Sequence, residues 1–130
     1  MAALAAGRVV LSDRYALSTE AYQMVGRGLD PALVRAANKA ATHGVQPDLT
    51  LILDLPAEVG QARQLAAGKR QDRLDRESAD FHRRVVEYYL AVRGEGVRHL
   101  DGRLPPDQLL QAAWSDVRAA APETFRVVVG

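Results

Sequence analysis

The chain has 130 residues, of which 48% are hydrophobic and 25% charged, the composition of a globular protein with a core. It contains no cysteine, which excludes disulfides, thiolate metal sites and a cysteine nucleophile. Its formal charge is +1, which excludes the strong positive electrostatic field by which basic proteins bind nucleic acid. No apolar run suffices to cross a membrane and the start lacks the basic segment of a signal peptide, so we predict a cytoplasmic protein without membrane or nucleic-acid partners.

The first predicted elements come from hydrophobic pattern and capping residues. In chain order they are the end of a helix at residues 2–6, a buried strand at 8–12, a helix at 18–25 and a helix at 31–42. Gly26-Arg27-Gly28 is the predicted stop of the third element. Asp30 followed by Pro31 is typical of a helix N-terminus. The aspartate side chain can accept hydrogen bonds from the first helical turn, and proline has no N–H group that would need a partner there.

The second half of the chain predicts further alternation of strands and helices. The run 49–56 is almost unbroken in apolar residues, which is typical of a parallel strand covered by helices on both faces. It is followed by a helix at 57–67, a polar stretch at 68–76, a helix ending near 93, a strand at 97–101, a helix at 105–121 and a possible strand at 126–129. The helix ending near 93 carries apolar residues at helical spacing, among them Phe81 and Val85, which predicts one packing face. We therefore predict a single α/β domain over 1–130 with a mostly parallel sheet, and its three or four strands suggest part of a doubly wound fold.

Polar residues after the first predicted strand form the first candidate site. In open α/β sheets ligands bind beyond the carboxyl ends of strands, so Asp13 and Arg14 are expected to face a crevice. The guanidinium of Arg14 suits a phosphate, and side chains able to line one side of a pocket follow at Ser18, Thr19 and Tyr22. The alternative is a solvated turn with an ordinary surface ion pair.

The second candidate site is the charged stretch at 68–77. Four cations lie at positions 69, 70, 73 and 76, with two acidic residues between them at 72 and 75. On charge pattern alone a solvated connector is the simpler interpretation. The three histidines, at 43, 82 and 99, show no metal-ligand spacing and are predicted to be structural. Asp54 is predicted to cap the next helix or brace the base of the charged stretch, and Trp114 to lie in the core.

Three segments together resemble bacterial thymidylate kinases. Asp13-Arg14-Tyr15, continued by Ser-Thr-x-Ala-Tyr-Gln and Gly26-Arg27-Gly28, resembles that family's Asp-Arg-(Tyr/His/Phe) motif. The run 47–56 is similar to its Pro-Asp-Leu-Thr strand, and 68–77 with the following Phe-x-x-Arg and Tyr-Leu is similar to its lid and next helix. The resemblance covers residues 3–120 and implies part of a P-loop nucleoside-monophosphate-kinase fold, matching only the later part of the family's chain.

The resemblance also implies roles for individual residues. Arg14 would bind the 5′-phosphate of dTMP and act as a catalytic residue, Ser18 and Thr19 would contact the base, and Tyr22 would lie against the deoxyribose. Gln23 would belong to the same site, and Asp13 would approach Mg²⁺ through water. Lys69, Arg70 and Arg73 would be lid cations that close on ATP, Arg70 and Arg73 being catalytic. Family members are generally homodimers.

Residues 1–130 contain no Gly-x-x-x-x-Gly-Lys-(Ser/Thr), the loop that cradles ATP phosphates. Two hypotheses follow. The chain is either a thymidylate kinase by descent that needs a phosphate loop for turnover, or a non-catalytic nucleotide-binding remnant or oligomerising scaffold. The missing loop has three possible explanations: the chain is a truncated reading frame, an excised fragment or a degenerate homologue.

Overall fold

The computed structural model describes residues 2–66, 68 and 77–125, which form six α-helices, one π-helix and two β-strands. The elements in chain order are α1 (Ala2–Ala5), α2 (Ala16–Thr19), the π-helix (Glu20–Gly26), α3 (Pro31–Thr42), β1 (Thr50–Asp54), α4 (Ala57–Ala66), α5 (Ala79–Ala91), β2 (Val97–Asp101) and α6 (Pro106–Ala120). They divide into two compact units, residues 1–44 and 45–130. Within the described ranges no helix is both long and apolar enough to span a bilayer.

Helix α3 confirms the predicted start signal and the predicted bounds in the first unit. The carboxylate of Asp30 accepts hydrogen bonds from the backbone N–H groups of Ala32 and Leu33, at 2.7 and 3.0 Å. These bonds satisfy two donors that the first helical turn leaves without partners. The helix ends where His43 adopts the left-handed conformation, with φ of 51°.

The helix predicted at 18–25 is present but has a different geometry. It starts earlier, as α2, and continues directly into the seven-residue π-helix, which includes Gly26 instead of stopping at it. A π-helix is rare and frequently lies at functional sites, and it shifts side chains out of the α-helical register. The side chains after Thr19 therefore project in directions that a regular α-helix would not provide.

The strand predicted at 8–12 is wrong, since these residues form no regular structure and are exposed. Val9, Val10 and Leu11 are 55%, 52% and 88% exposed. A strand exists only when its backbone groups pair with a neighbour, and the described part of the first unit contains no strand. The apolar composition of residues 8–12 is therefore not sufficient to make them a strand. The possible strand at 126–129 lies outside the described residues.

The second unit is built on a parallel pair of strands. β1 and β2 pair in register from Thr50 with Val97 to Asp54 with Asp101. The turn that enters β2 needs glycine at position 96, because φ is +72° and a β-carbon would lie 2.5 Å from the carbonyl oxygen of Asp48. The predicted class, α/β with a parallel sheet flanked by helices, is confirmed and is consistent with part of a nucleoside-monophosphate-kinase fold.

The core of the second unit lies between the strands and α5. Phe81 and Val85, one turn apart on α5, are 3% and 5% exposed, and Ile52 and Leu100 are buried from the strands. Helix α5 begins where the hydroxyl of Ser78 accepts a hydrogen bond from the backbone N–H of Phe81 at 3.2 Å. The helical spacing of apolar residues predicted this packing face correctly.

Two predictions of burial in this unit are wrong. Trp114 is 46% exposed and stacks edge to face on Phe125, with ring centroids 5.1 Å apart. Leu53 is 55% exposed, although the strand was expected to be covered on both faces. Side chains on both faces of a sheet are buried only when helices pack on both faces, and the exposure of Leu53 shows that its face is not fully covered by the described residues.

Candidate functional site

The turn before α2 holds the first candidate site in an uncommon backbone conformation. Arg14 has φ of 72°, a left-handed conformation that costs a residue with a β-carbon about 1–2 kcal/mol. The hydroxyl of Ser12 donates to the carbonyl oxygen of Arg14 at 2.8 Å and helps to hold the turn. Strained backbone of this kind clusters at ligand sites, where it places a side chain that a relaxed turn would direct elsewhere.

Arg14 and Tyr22 are brought together by the turn and the π-helix. The guanidinium carbon of Arg14 lies 5.2 Å from the centroid of the Tyr22 ring, within the range of a cation–π contact. The ring supports one face of the guanidinium, a group whose planar fork of N–H donors suits the oxygens of a phosphate. The structure therefore pairs two of the predicted site residues in an arrangement suited to an anion beside a flat or cyclic group.

The remaining residues predicted for this site are placed individually. Ser18 is half-buried, and its backbone N–H donates to the carbonyl oxygen of Tyr15 at 2.9 Å. Gln23 accepts a hydrogen bond through Oε1 from Nη1 of Arg27, at 3.2 Å. Asp13 and Thr19 are exposed.

Sequence reasoning missed two residues that support this site. Asn38 on α3 donates from Nδ2 to the carbonyl oxygen of Ala16 at 3.1 Å and so fixes the start of α2. Arg27, interpreted only as part of a helix stop, contacts Gln23. A lone asparagine in the otherwise alanine-rich helix α3 was the only signal for Asn38, because its partner is 22 positions away.

The predicted lid lies largely outside the described residues. Lys69, Arg70 and Arg73 belong to residues 69–76, and only Gly68 and Glu77 of the predicted lid at 68–77 are described. The lid roles of these cations therefore stay predictions.

In the second unit, polar side chains join the two strands to the end of α5. Nδ1 of His99 lies 2.8 and 3.1 Å from the carboxylate oxygens of Asp54, so the ring donates to the carboxylate there. Nε2 of the same ring lies 2.8 Å from the carbonyl oxygen of Val92, just beyond α5. Asp54 thus joins β2 to the residue just beyond α5 through His99, a contact that differs from both predicted roles, capping the next helix or bracing the base of the charged stretch. His99 has the structural role that the sequence predicted.

The turn after β2 is held at three points. Gly102 donates to the carbonyl oxygen of Asp54 at 2.9 Å, and its own carbonyl oxygen accepts from Nη1 of Arg63 at 2.7 Å. Arg103 forms a two-pronged contact with Asp101, at 2.9 and 3.0 Å. The hydrogen bonds from the side chain and backbone of Arg103 lower the pKa of Asp101 to about 2. This carboxylate is therefore ionised at neutral pH.

A cavity of about 780 Å³ lies in the second unit beside the carboxyl ends of β1 and β2, next to α4 and α5. Its wall includes Leu55, Val86 and Leu90, and its charged lining includes Arg83 and Glu87. The volume lies within the range of small-molecule sites, and this edge of a parallel sheet is where α/β proteins bind ligands. Among the described residues, no group of three or more acidic or histidine side chains is arranged to hold a metal ion.

Comparison with known proteins gives consistent matches. The family model described as thymidylate kinase matches residues 1–112. The chain is similar to thymidylate kinases of Thermomicrobium roseum (46% identical over 118 residues, 88% of this chain and 56% of the relative) and of a Synechococcus strain (44% over 123 residues, 92% and 58%). It is also similar to that of Oleidesulfovibrio alaskensis, at 42% identity over 134 residues, 96% of this chain and 61% of the relative. The chain thus spans between 56% and 61% of the length of these relatives.

Proposed function

Because the chain belongs to the thymidylate kinase family, we propose that it takes part in transfer of the γ-phosphoryl group of ATP to dTMP, giving ADP and dTDP. The observation that carries this proposal is the left-handed Arg14, whose guanidinium is supported by the ring of Tyr22. The relatives are longer than this chain, so the proposal concerns its share of the reaction.

On the acceptor side, Arg14 binds the 5′-phosphate of dTMP through its planar fork. Tyr22, which already contacts Arg14, lies against the deoxyribose, and Ser18 and Thr19 contact the thymine base, with Gln23 in the same site. The short distance between Arg14 and Tyr22 supports this arrangement, because phosphate and sugar are adjacent in a nucleotide. Arg14 then orients the accepting phosphate oxygen and offsets the repulsion between the acceptor phosphate and the γ-phosphoryl group of ATP.

On the donor side, Lys69, Arg70 and Arg73 close over the phosphates of ATP. Phosphoryl transfer spreads negative charge over the equatorial oxygens of a loose transition state, and positioned arginines stabilise that charge once water is excluded. Arg70 and Arg73 carry this role in the proposal. Helix α4, which leads to these residues, is tied to the turn after β2 by Arg63.

Mg²⁺ is the proposed cofactor, and the chemistry of the residues present fits it in one limited way. Magnesium usually keeps several waters and takes one or two carboxylates together with substrate phosphates, so a dedicated cluster of ligands is not required. The exposed carboxylate of Asp13, beside Arg14, suits a contact with a metal-bound water. When bound, the ion would supply charge neutralisation at the phosphates.

The second candidate function is non-catalytic, a nucleotide-binding remnant or an oligomerising scaffold. Residues 1–130 contain no glycine-rich motif of the kind that cradles ATP phosphates, so binding of dTMP and turnover of ATP must be tested separately. As part of the kinase proposal, and on the basis of the family alone, we also propose that the protein is a homodimer in the cytoplasm.

Calorimetric titration of the 130-residue chain with dTMP tests the acceptor site. We expect binding that Arg14→Ala weakens by on the order of tenfold or more, since a charge-assisted hydrogen bond contributes about 1.5–3 kcal/mol. Arg35→Ala is the matched control, because Arg35 is an exposed arginine of the same unit, on α3. Equal loss in both variants would show that only general charge matters.

Release of ADP from ATP in the presence of dTMP separates the two candidate functions. Turnover by this chain would reject the remnant hypothesis. Binding of dTMP without turnover would favour it, and no binding at millimolar dTMP would reject the acceptor site itself.

A further inference from the structure

Asn38 is a polar residue on the inner face of helix α3. It lies one turn after Val34, which is 5% exposed, and its own side chain is half-buried, so both residues lie on the side of α3 that contacts α2 and the π-helix. Asparagine is a weaker helix former than alanine, and a polar group taken out of water costs free energy unless it finds a hydrogen-bond partner. The helix therefore gains nothing from Asn38, and the benefit of this residue lies in the contact that its side chain makes.

That contact is with the first turn of α2. Nδ2 of Asn38 donates to the carbonyl oxygen of Ala16 at 3.1 Å. Helix α2 has four residues, and its N-cap position is occupied by Tyr15 instead of one of the small polar residues that usually cap a helix. A helix this short is unstable by itself, so tertiary contacts decide where it lies. The bond from α3 therefore fixes the point at which the chain enters α2.

Ala16 lies between the two residues that meet in the candidate site. It comes two positions after Arg14, which is held in the left-handed conformation, and six positions before Tyr22. The guanidinium carbon of Arg14 lies 5.2 Å from the centroid of the Tyr22 ring. A displacement of Ala16 passes directly to the turn at Arg14, and it would move the guanidinium relative to the ring.

We propose that Asn38 is a positioning residue for the dTMP site, which sets the affinity for dTMP by holding Arg14 at the ring of Tyr22. The inference rests on the proposed function, in which Arg14 binds the phosphate of dTMP. Asn38 acts through Ala16 and not by contact with the nucleotide. A site that is held in its binding geometry before the ligand arrives loses less conformational freedom on binding, so removal of the bond to Ala16 weakens binding.

Asn38→Ala separates positioning from a merely structural role. The Kd for dTMP, measured by calorimetry, should rise about three- to tenfold, the equivalent of one neutral hydrogen bond. The midpoint of urea unfolding should stay near that of the parent, because the better helix former offsets the lost bond. Unchanged affinity for dTMP would overturn the inference.

Val34→Ala is the matched comparison, one turn earlier on the same face of α3. It should lower the unfolding midpoint through lost packing, since Val34 is buried, yet keep the Kd for dTMP within about twofold of the parent wherever the chain is folded. An equal loss of affinity in Val34→Ala and Asn38→Ala would mean that only the stability of α3 matters, and the inference would be wrong.

A double-mutant cycle tests whether Asn38 acts through Arg14. In the Arg14→Ala background, Asn38→Ala should weaken dTMP binding by less than about twofold more, because the side chain that it positions is already gone. If the full loss persists in that background, Asn38 contributes by another route and the inference fails.

Amide hydrogen exchange of the nucleotide-free chain measures the contact itself. The backbone N–H of Glu20 donates to the carbonyl oxygens of Ala16 and Leu17, so its exchange should become at least about threefold faster in Asn38→Ala. The amide of Leu33, bonded to Asp30 at the far end of α3, serves as the control and should not change. Unchanged exchange at Glu20 would contradict the inference.

Two further outcomes keep the inference apart from the proposed function. Asn38→Leu keeps the side-chain volume and removes both N–H donors, so it gives the same measurements if Asn38→Ala does not fold. If the parent binds dTMP and Arg14→Ala weakens that binding while neither Asn38 variant does, the inference alone fails. If the parent does not bind dTMP, the proposed function fails and the role of Asn38 in dTMP affinity falls with it.

Discussion

Replacing Gly96 with alanine should destabilise the second unit through two separable effects. Its φ of +72° disfavours any residue with a β-carbon, at a cost of about 1–2 kcal/mol. The added β-carbon would also lie 2.5 Å from the carbonyl oxygen of Asp48, a backbone atom that cannot rotate away. Forcing a methyl group into a filled space costs a further 1–3 kcal/mol, roughly, so we expect a total of about 2–5 kcal/mol.

The control for this substitution is Gly44→Ala. Gly44 has nearly the same backbone conformation, with φ of +76°, but nothing lies within 4 Å of its hypothetical β-carbon. It should therefore lose only the conformational part, about 1–2 kcal/mol. Urea unfolding followed by circular dichroism measures both variants, and Trp114 fluorescence follows the second unit, in which Gly96 lies. Equal losses at the two positions would refute the reasoning, because the contact between Gly96 and Asp48 would then carry no cost.

Three further substitutions test the site and the core. The folded-state pKa of Asp101, about 2, lies below the ordinary value of about 3.9, so this carboxylate stabilises the fold above pH 4, roughly, and loses that contribution as the pH falls towards 2. Asp101→Asn should flatten the stability profile over that range, and parallel profiles for variant and parent would contradict the assignment. Phe81→Ala should cost about 3–5 kcal/mol in urea unfolding because the ring is 3% exposed, and a cost below that of Phe81→Leu would argue against its place in the core. Arg14→Gly should be more stable than Arg14→Ala by about 1–2 kcal/mol because glycine relieves the left-handed conformation, whereas equal midpoints would mean that this conformation is not adopted.

Helix ends and helical faces were the features most readily predicted. The start of α3 depends on Asp30 and on the proline directly after it, and the packing face of α5 follows from the spacing of Phe81 and Val85. These signals are read between residues a few positions apart, within one element. Local chemistry is therefore enough to place such elements.

Burial and strand formation were predicted less well. Residues 8–12 have the composition of a strand yet form none, and Trp114 and Leu53 are apolar yet about half exposed. A strand requires a partner, and burial requires a second surface, so neither is a property of a short segment. Apolar identity alone does not decide either outcome.

For the candidate site, too, some features follow from the sequence and others only from the tertiary structure. The sequence by itself determined which side chains are present, and from the Asp13-Arg14-Tyr15 motif and the residues that follow it we predict recognition of a nucleotide phosphate. Only the tertiary structure decided that Arg14 is left-handed and rests on Tyr22, and that His99 joins Asp54 to the end of α5. Asp54 and His99 are 45 positions apart, and such contacts arise only after the intervening chain has folded, which is why a motif names the groups while the fold sets their geometry.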